Sequence, residues 1–315
     1  MALTEVRQPD VFCFIINPRA GRRNGARLAG RIEAVFARAS GQPGCRILLT
    51  ERPGHATELA AELAVTYGSR AVIFACGGDG TAREVAAGVA GTDSAMGILP
   101  IGTANDLART ALSTRDVDEL LPKLPHPQIR PIDAIRIGQE TCINITSLGF
   151  DTKVQIKAAQ LNRRLRLLGS AVYPLAILQS LFGRRSYHMR YKIEALQPDG
   201  SRQTIDGTST FILAAICNGR FYGGGYNPAP QALLDDGRLA FCLVDDLPLG
   251  RIIKLIPKYK KGTHLGDPAI HVWQVISGEL EAVGTPLLGN YDGDAFSCDH
   301  LSFQILPGAV RFAFY

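Results

Sequence analysis

The chain has 315 residues, a formal charge of +5, and 46% hydrophobic against 20% charged residues. That balance is ordinary for a folded soluble protein of one large or two medium domains, and the charge is too small to require nucleic acid. The seven cysteines (Cys13, Cys45, Cys76, Cys142, Cys217, Cys242 and Cys298) are scattered, odd in number and form no Cys-x-x-Cys pair, which excludes a disulfide framework or zinc site in favour of buried free thiols.

Val11–Ile16 reads as a strand that leads through "NPRAG" (Asn17 to Gly21) into a helix from about Gly25 to Ala39. Leu28, Ile32, Val35, Phe36 and Ala39 form its apolar stripe. Ile47–Thr50 is a short strand, and Leu59, Ala60, Leu63 and Tyr67 mark a second helix. Ala71–Cys76 is uncharged and rich in strand formers, as an interior strand covered on both faces would be. A helix from Ala82 to Ala90 follows it. The next strand, Met96 to Pro100, enters a Gly-containing turn and a helix from about Asn105. Repeated strand–turn–helix units imply a parallel sheet with helices on both faces.

The pattern changes at Leu121 to Pro131, where the prolines mark a domain edge. Beyond it the segments are strand-like: Ile132–Ile137, Thr141–Ser147, Tyr187–Leu196, Ser209–Cys217, Arg238–Val244, His271–Ser277 and Leu301–Leu306. Pro198–Asp199–Gly200 and Asp236–Gly237 give hairpin signals. Helical material interrupts this region from about Lys153 to Phe182. The expected architecture is an N-terminal three-layer α/β nucleotide-binding domain (1–130) and a C-terminal, predominantly antiparallel β-sandwich domain (131–315). No apolar stretch reaches the length of a membrane span, and the N-terminus lacks a signal-peptide pattern. The six histidines show no metal-ligand spacing.

"ACGGDGTAREV" (Ala75 to Val85) sets an acidic residue, Asp79, among glycines at a strand-to-helix turn. Such a turn favours an anion through free backbone amides and the helix dipole. A carboxylate there repels phosphate unless it orients a metal or a hydroxyl. The loop lacks Gly-Lys-Ser/Thr, so it is not a Walker A loop, and Arg83 breaks the Rossmann glycine pattern. "NPRAG", "GGDGT" and "GTANDLAR" each follow a strand and precede a helix, which would line all three along the carboxyl edge of one sheet, where open α/β sheets bind ligands.

With these three motifs in order, the chain resembles the diacylglycerol kinase catalytic-domain family, in particular its soluble bacterial lipid kinases. The likeness runs on through "SLGFDTKV" (Ser147 to Val154), "NGRFYGGGYNPAPQALLDDGRL" (Asn218 to Leu239), "KGTHLGDP" (Lys261 to Pro268) and "YDGDAF" (Tyr291 to Phe296). It implies an ATP-dependent kinase that phosphorylates a lipid hydroxyl. Diacylglycerol is the first-choice acceptor, with phosphatidylglycerol, a sphingoid base and ceramide as alternatives.

The resemblance implies phosphate contacts from Asn17, Pro18, Arg19, Ala20, Gly21, Thr50, Gly77, Gly78, Gly80, Thr81 and Glu84. Asp79 would organise magnesium, and Gly102, Thr103, Asn105 and Asp106 would complete the cleft; Asn105–Asp106 also reads as an ordinary helix N-cap, and both roles can hold. A second, structural magnesium would take backbone carbonyls of Leu233 and Arg238 and the carboxylate of Asp236, although Asp236–Gly237 alone reads as a hairpin turn. The catalytic base would be Asp294, with Asp292 the lesser candidate. The family usually has Glu at that position, so Asp294 is a departure. NAD kinase shares "GGDGT" but should lack "GTANDLAR" and "NGRFYGGG". A non-catalytic lipid- or nucleotide-binding protein on the same fold is the remaining alternative.

Two basic stretches, Asn162 to Lys192 and Arg251 to His264, flank or carry apolar residues. They read either as core helices with solvated charges or as contacts to anionic lipid. The expected location is cytoplasmic with peripheral membrane contact and no nucleic acid, and a homodimer is allowed.

Overall fold

The computed structural model describes residues 9–21, 25–41, 43–164, 172–181, 183 and 185–315. The chain divides into two compact units. One holds the residues up to Ala134 together with Pro307–Tyr315, and the other holds Ile135–Leu306.

In the first unit, β1 (Val11–Ile16), α1 (Gly25–Phe36), β2 (Gly44–Leu49), α2 (His55–Tyr67), β3 (Ala71–Gly77), α3 (Asp79–Val89), β4 (Ala95–Pro100), α4 (Asp106–Ala111) and α5 (Val117–Leu120) alternate along the chain. The next strand, β5 (Gln128–Ile137), leaves this unit. β1 pairs in parallel with β2 and β3, and β3 with β4. Every residue of β1, β3 and β4 is buried, so both faces of the sheet are covered. On one face Phe14 and Phe74 stack at 4.8 Å, and Phe36 from α1 closes on Phe12 and Phe14 at 5.1 and 5.3 Å. Cys13, Ile15 and Ile73 fill the alternate positions. α2 and α3 pack backbone-close at Gly88, where a Cβ would overlap Ala60 and the Thr57 carbonyl.

The expected division gave residues 307–315 to the second domain. By contacts these residues group with the first unit: Arg311 and Phe312, at the end of the last strand, pair in parallel with Ala95 and Met96 of β4 and extend that unit's sheet. The buried Asp133 accepts the Gly308 amide at 2.8 Å and fastens this return.

The second unit contains β6 (Glu140–Cys142), β7 (Ile145–Gly149), α6 (Phe150–Arg164), α7 (Val172–Ser180), β8 (Tyr187–Leu196), β9 (Arg202–Cys217), β10 (Leu239–Asp245), α8 (Leu249–Lys261), β11 (Ile270–Ala282), β12 (Leu287–Tyr291), β13 (Asp294–Cys298) and the start of β14 (His300–Phe314). Its pairings are antiparallel. β9 pairs with β8 over Arg202–Phe211 and with β10 from Phe211 onward, while β11 pairs first with β10 and then with β8. Register shifts at Val244/Asp245 and Val275/Ser277 mark where the ladder bends. Long strands shared in this way make a sandwich, filled by Met189, Phe211, Phe241, Leu280 and Phe303. The expected helical insertion is α6 and α7, which pack through Val154, Ala158 and Leu161 on Val172 and Ala176.

All seven cysteines are free, and five are buried. Burial pushes the Cys13 and Cys45 thiols up to about 11, so neither is a ready nucleophile. Among the described residues no helix is long and apolar enough to cross a membrane.

Candidate active site

Three loops meet at the carboxyl edge of the first unit's sheet. After β1, the Asn17 amide donates to the Cys76 carbonyl at the end of β3 (3.0 Å), and Asn17 Oδ1 accepts the Arg19 amide (2.9 Å). Asn17 Nδ2 reaches Thr81 Oγ1 at 3.4 Å, which links the first two loops. Gly21 has φ +56°, and a Cβ there would overlap the Ile101 carbonyl of the third loop. Thr50 lies at the end of β2, its amide on the Ile16 carbonyl at 3.0 Å. The Ile101 and Gly102 amides both donate to the Gly77 carbonyl at 3.0 Å. Gly102 sits so close to Gly78 that any side chain would push the second and third loops apart. The sequence motifs "NPRAG", "GGDGT" and "GTAND" therefore form one constellation in space.

Asp79 is the first residue of α3, yet its Oδ1 accepts the Asp106 and Leu107 amides at 2.7 and 3.2 Å. It thus caps α4 from another loop. α4's own N-cap, Asn105, has φ +53° and turns its Nδ2 onto the Pro100 and Gly102 carbonyls at 3.1 and 3.0 Å. Burial raises the Asp79 carboxyl above its usual range, while the Leu107 and Asp106 amides hold it down. Asp106 is buried and pairs with Arg109 Nε at 3.3 Å. Asn105 Oδ1 is buried without a protein partner. Two carboxylates and an unpartnered amide oxygen are hard oxygen donors, the kind magnesium takes from a protein when phosphates supply the rest, so the residues fit that ion. Among the described residues no cluster of three or more His, Cys, Asp or Glu side chains is arranged for a metal, so a dedicated protein cage is not part of the fit.

Glu84 has both carboxylate oxygens engaged elsewhere. They accept the Gly54 and Ala56 amides at 3.0 and 3.1 Å and so cap α2, whose N-cap Gly54 offers no side chain. Its position on α3 makes it a fastener between helices.

In the second unit, the turn that follows β12 is tightly held. Asp292 has φ +44° and Gly293 φ +105°. The Asp292 carboxylate accepts three successive amides, Ile143 at 2.8 Å and Asn144 and Ile145 at 3.2 Å. Gln155 Nε2 donates to the Gly293 carbonyl. Asp294 is exposed and opens β13, paired with Tyr291. Of the two late aspartates, one is built into the fold and the other faces solvent. Asp236 is exposed, with the Arg238 amide on its Oδ1 at 3.1 Å, in a loop whose Leu233 is also exposed.

Asp151 lies within the "SLGFDTKV" motif, where nothing local marks it apart from its neighbours. Its Oδ2 is shielded from solvent, and burial pushes the carboxyl up to about 6 against the bonds it takes from Ser147, Thr152 and Tyr222. Ser147 Oγ and Thr152 Oγ1 in turn accept Asn290 Nδ2 at 2.7 and 2.9 Å. The folded pKa lies above the ordinary 3.8. Above pH ~6 both states are ionised and the folded state carries the full burial penalty. As pH falls from ~7 to ~4 the folded carboxyl takes up its proton first, so this group's contribution to stability rises. The shift is worth roughly 3 kcal/mol at most. Asp151→Asn should therefore be at least as stable as the parent at pH 7.5 and lose that advantage by pH 4. The sole tryptophan, Trp273, lies in this unit and reports its unfolding. An Asn variant that is clearly weaker at pH 7.5 would show that the hydrogen bonds to the carboxylate outweigh its burial.

Taken together, a parallel sheet edge lined by Gly, Asn and Asp loops and an antiparallel sandwich define a two-unit protein of the phosphate-handling class. Residues 11–137 match the diacylglycerol kinase catalytic domain, and residues 144–314 match the YegS C-terminal NAD kinase beta sandwich-like domain. The chain is 30% identical over 280 residues to a probable lipid kinase YegS-like protein of Xanthomonas axonopodis pv. citri, covering 84% of this chain and 85% of that one. It is 31% identical over 284 residues to a protein of the same description from Pseudomonas aeruginosa, covering 88% and 87%. A solved diacylglycerol kinase structure from Bacillus anthracis superposes with a TM-score of 0.70 at 19% identity over 97% of both chains, a likeness of fold. The chain belongs to the YegS-like lipid kinases of the diacylglycerol kinase catalytic-domain family. Membership makes it a kinase, with ATP as the phosphoryl donor.

Proposed function

We propose that the protein transfers the γ-phosphoryl group of ATP to a lipid hydroxyl, with diacylglycerol as the first acceptor to test. The observation that carries this reading is the meeting of the three loops at one sheet edge, with the Gly78 and Gly102 backbones in contact and Asp79 on the Asp106 and Leu107 amides. Phosphoryl transfer asks little covalent chemistry of a protein and much positioning, which suits a site of backbone amides and carboxylates.

In this reading the backbone and hydroxyl donors of Asn17–Gly21, Thr50, Gly77–Thr81 and Gly102–Thr103 hold the nucleotide phosphates. Glu84 supports them indirectly by fixing α2 and α3. Asp79, with Asn105 and Asp106, would hold magnesium, which when bound neutralises phosphate charge. Asp294 receives the acceptor's proton through its exposed carboxylate. Asp292 does not serve as the base, because its carboxylate is enclosed by three amides. The Leu233 and Arg238 carbonyls with the Asp236 carboxylate would hold a second, structural magnesium.

The test is a radiolabelled-ATP assay over diacylglycerol, phosphatidylglycerol, ceramide and a sphingoid base, with NAD included. Labelled phosphatidic acid from diacylglycerol is the expected product. Labelling of NAD alone would move the protein to a small-molecule kinase. Binding of ATP and lipid with no labelled product would make it a binding protein.

A further inference from the structure

Helix α8 presents a face that its packing leaves uncovered. Ile252, Leu255 and Tyr259 are buried against the second unit's core. On the opposite side Lys254, Lys258, Lys260 and Lys261 are exposed, and so are Leu249 (38%) and Ile253 (53%). Leu265, just past the helix, is 40% exposed. From Leu247 to Gly266 there is no Asp or Glu. Arg251 is tied to Asp267 at 2.7 Å and is not counted. Lys260 sits over the Tyr226 ring at 5.5 Å, and the other three lysines make no ion pair among the described residues.

The helix dipole accounts for lysines in the last turn. It does not account for Lys254 in mid-helix or for an isoleucine half open to water between lysines. A row of cations with apolar side chains among them matches an interfacial surface: the ammonium groups meet lipid phosphates while Ile253 and Leu249 enter the headgroup boundary. A nucleic-acid backbone would reward the lysines but leave the apolar residues without a partner.

We propose that the outer face of α8 docks the protein on an anionic phospholipid bilayer. The contact is shallow, because the helix's other face is committed to the core. The 13 residues of α8 are too few to span. The side chains of Arg163 and Arg164, in the other basic stretch, lie outside the described residues.

The experiment is sedimentation of the full chain with phosphatidylcholine vesicles, with and without phosphatidylglycerol, in the absence of ATP. Binding is thus read without turnover and independently of the kinase reading. Each lysine near such a surface is worth roughly fivefold in partitioning. Replacing Lys254, Lys258, Lys260 and Lys261 with Gln should weaken binding to phosphatidylglycerol vesicles at least tenfold, and high salt should do the same to the parent. Ile253→Ser should weaken it severalfold with the charge unchanged. Trp273 fluorescence melts confirm that the variants fold. Binding that ignores phosphatidylglycerol, or survives the lysine replacements, overturns the proposal. It is also overturned if the lysines bind duplex DNA with Ile253→Ser unaffected and vesicles ignored, or if their loss only dissolves a dimer.

Discussion

Asp79→Asn should lower turnover at least ~100-fold while leaving the melting temperature within a few degrees of the parent. The amide keeps an oxygen where Asp79 Oδ1 accepts the Asp106 and Leu107 amides, so α4 stays capped. What is lost is the negative charge, which is the part a magnesium among phosphates needs. Asp79→Ala removes both functions. It strands two amides at the start of α4 and should cost a further 1–2 kcal/mol, about the value of a lost helix cap. The contrast between the two variants separates the catalytic charge from the structural oxygen. Near-normal turnover in Asp79→Asn would remove the residue from the catalytic site. A melting loss as large as that of Asp79→Ala would mean the charge itself is structural.

The phosphate-loop edge was legible in the sequence because its signals are local. Gly, Asn and Asp at the ends of apolar strands announce turns whatever the rest of the chain does. What local reading could not supply is who caps whom. Asp79 serves α4, 27 residues on, and Glu84 serves α2, 28 to 30 residues back. The resemblance implies magnesium for Asp79 and phosphate for Glu84, and only the fold reveals the amides they already hold. The final strand was legible only over Leu301–Leu306; its continuation to Phe314 pairs Arg311 with Ala95, over two hundred residues away, and periodicity carries no information about partners. The Arg251 to His264 stretch was legible as a core helix or a lipid contact; the fold makes it a helix, Leu249–Lys261, that accommodates Pro257 in its interior, while which residues it buries depends on partners distant in sequence. Asp292 was the hardest to read: in sequence it is one of two acids around a glycine, and its three amide partners lie nearly 150 residues earlier.

Those two acids should part company when substituted. Asp292→Ala should destabilise the second unit by ~3–5 kcal/mol. It removes a carboxylate that accepts three amides, and charged hydrogen bonds are worth ~1.5–3 kcal/mol each before relaxation. It also places an alanine at φ +44°, a left-handed position that costs ~1 kcal/mol for a residue without a local polar side chain. Asp292→Asn tolerates that backbone and keeps one acceptor, so it should lose less. Asp294 is exposed at the start of β13 and does not occupy a left-handed backbone position, so Asp294→Asn should cost less stability than Asp292→Ala. With Asp294 as the proposed base, its effect should fall on turnover. An Asp carboxylate, one methylene shorter than Glu, reaches ~1.5 Å less far, and Gly293 with the Gln155 bond to its carbonyl fixes the turn from which it must reach. Asp and Glu have similar unperturbed acidity, so the shorter residue can still act as a base. Asp294→Asn should cut turnover ~100-fold or more with ATP binding unchanged, and Asp294→Glu should retain or raise it. Melting curves and ATP turnover on the same four proteins decide the matter. Normal turnover in Asp294→Asn beside a folded but inactive Asp292→Asn would reverse the two roles, because a carboxylate enclosed by amides would then be the group that receives the proton.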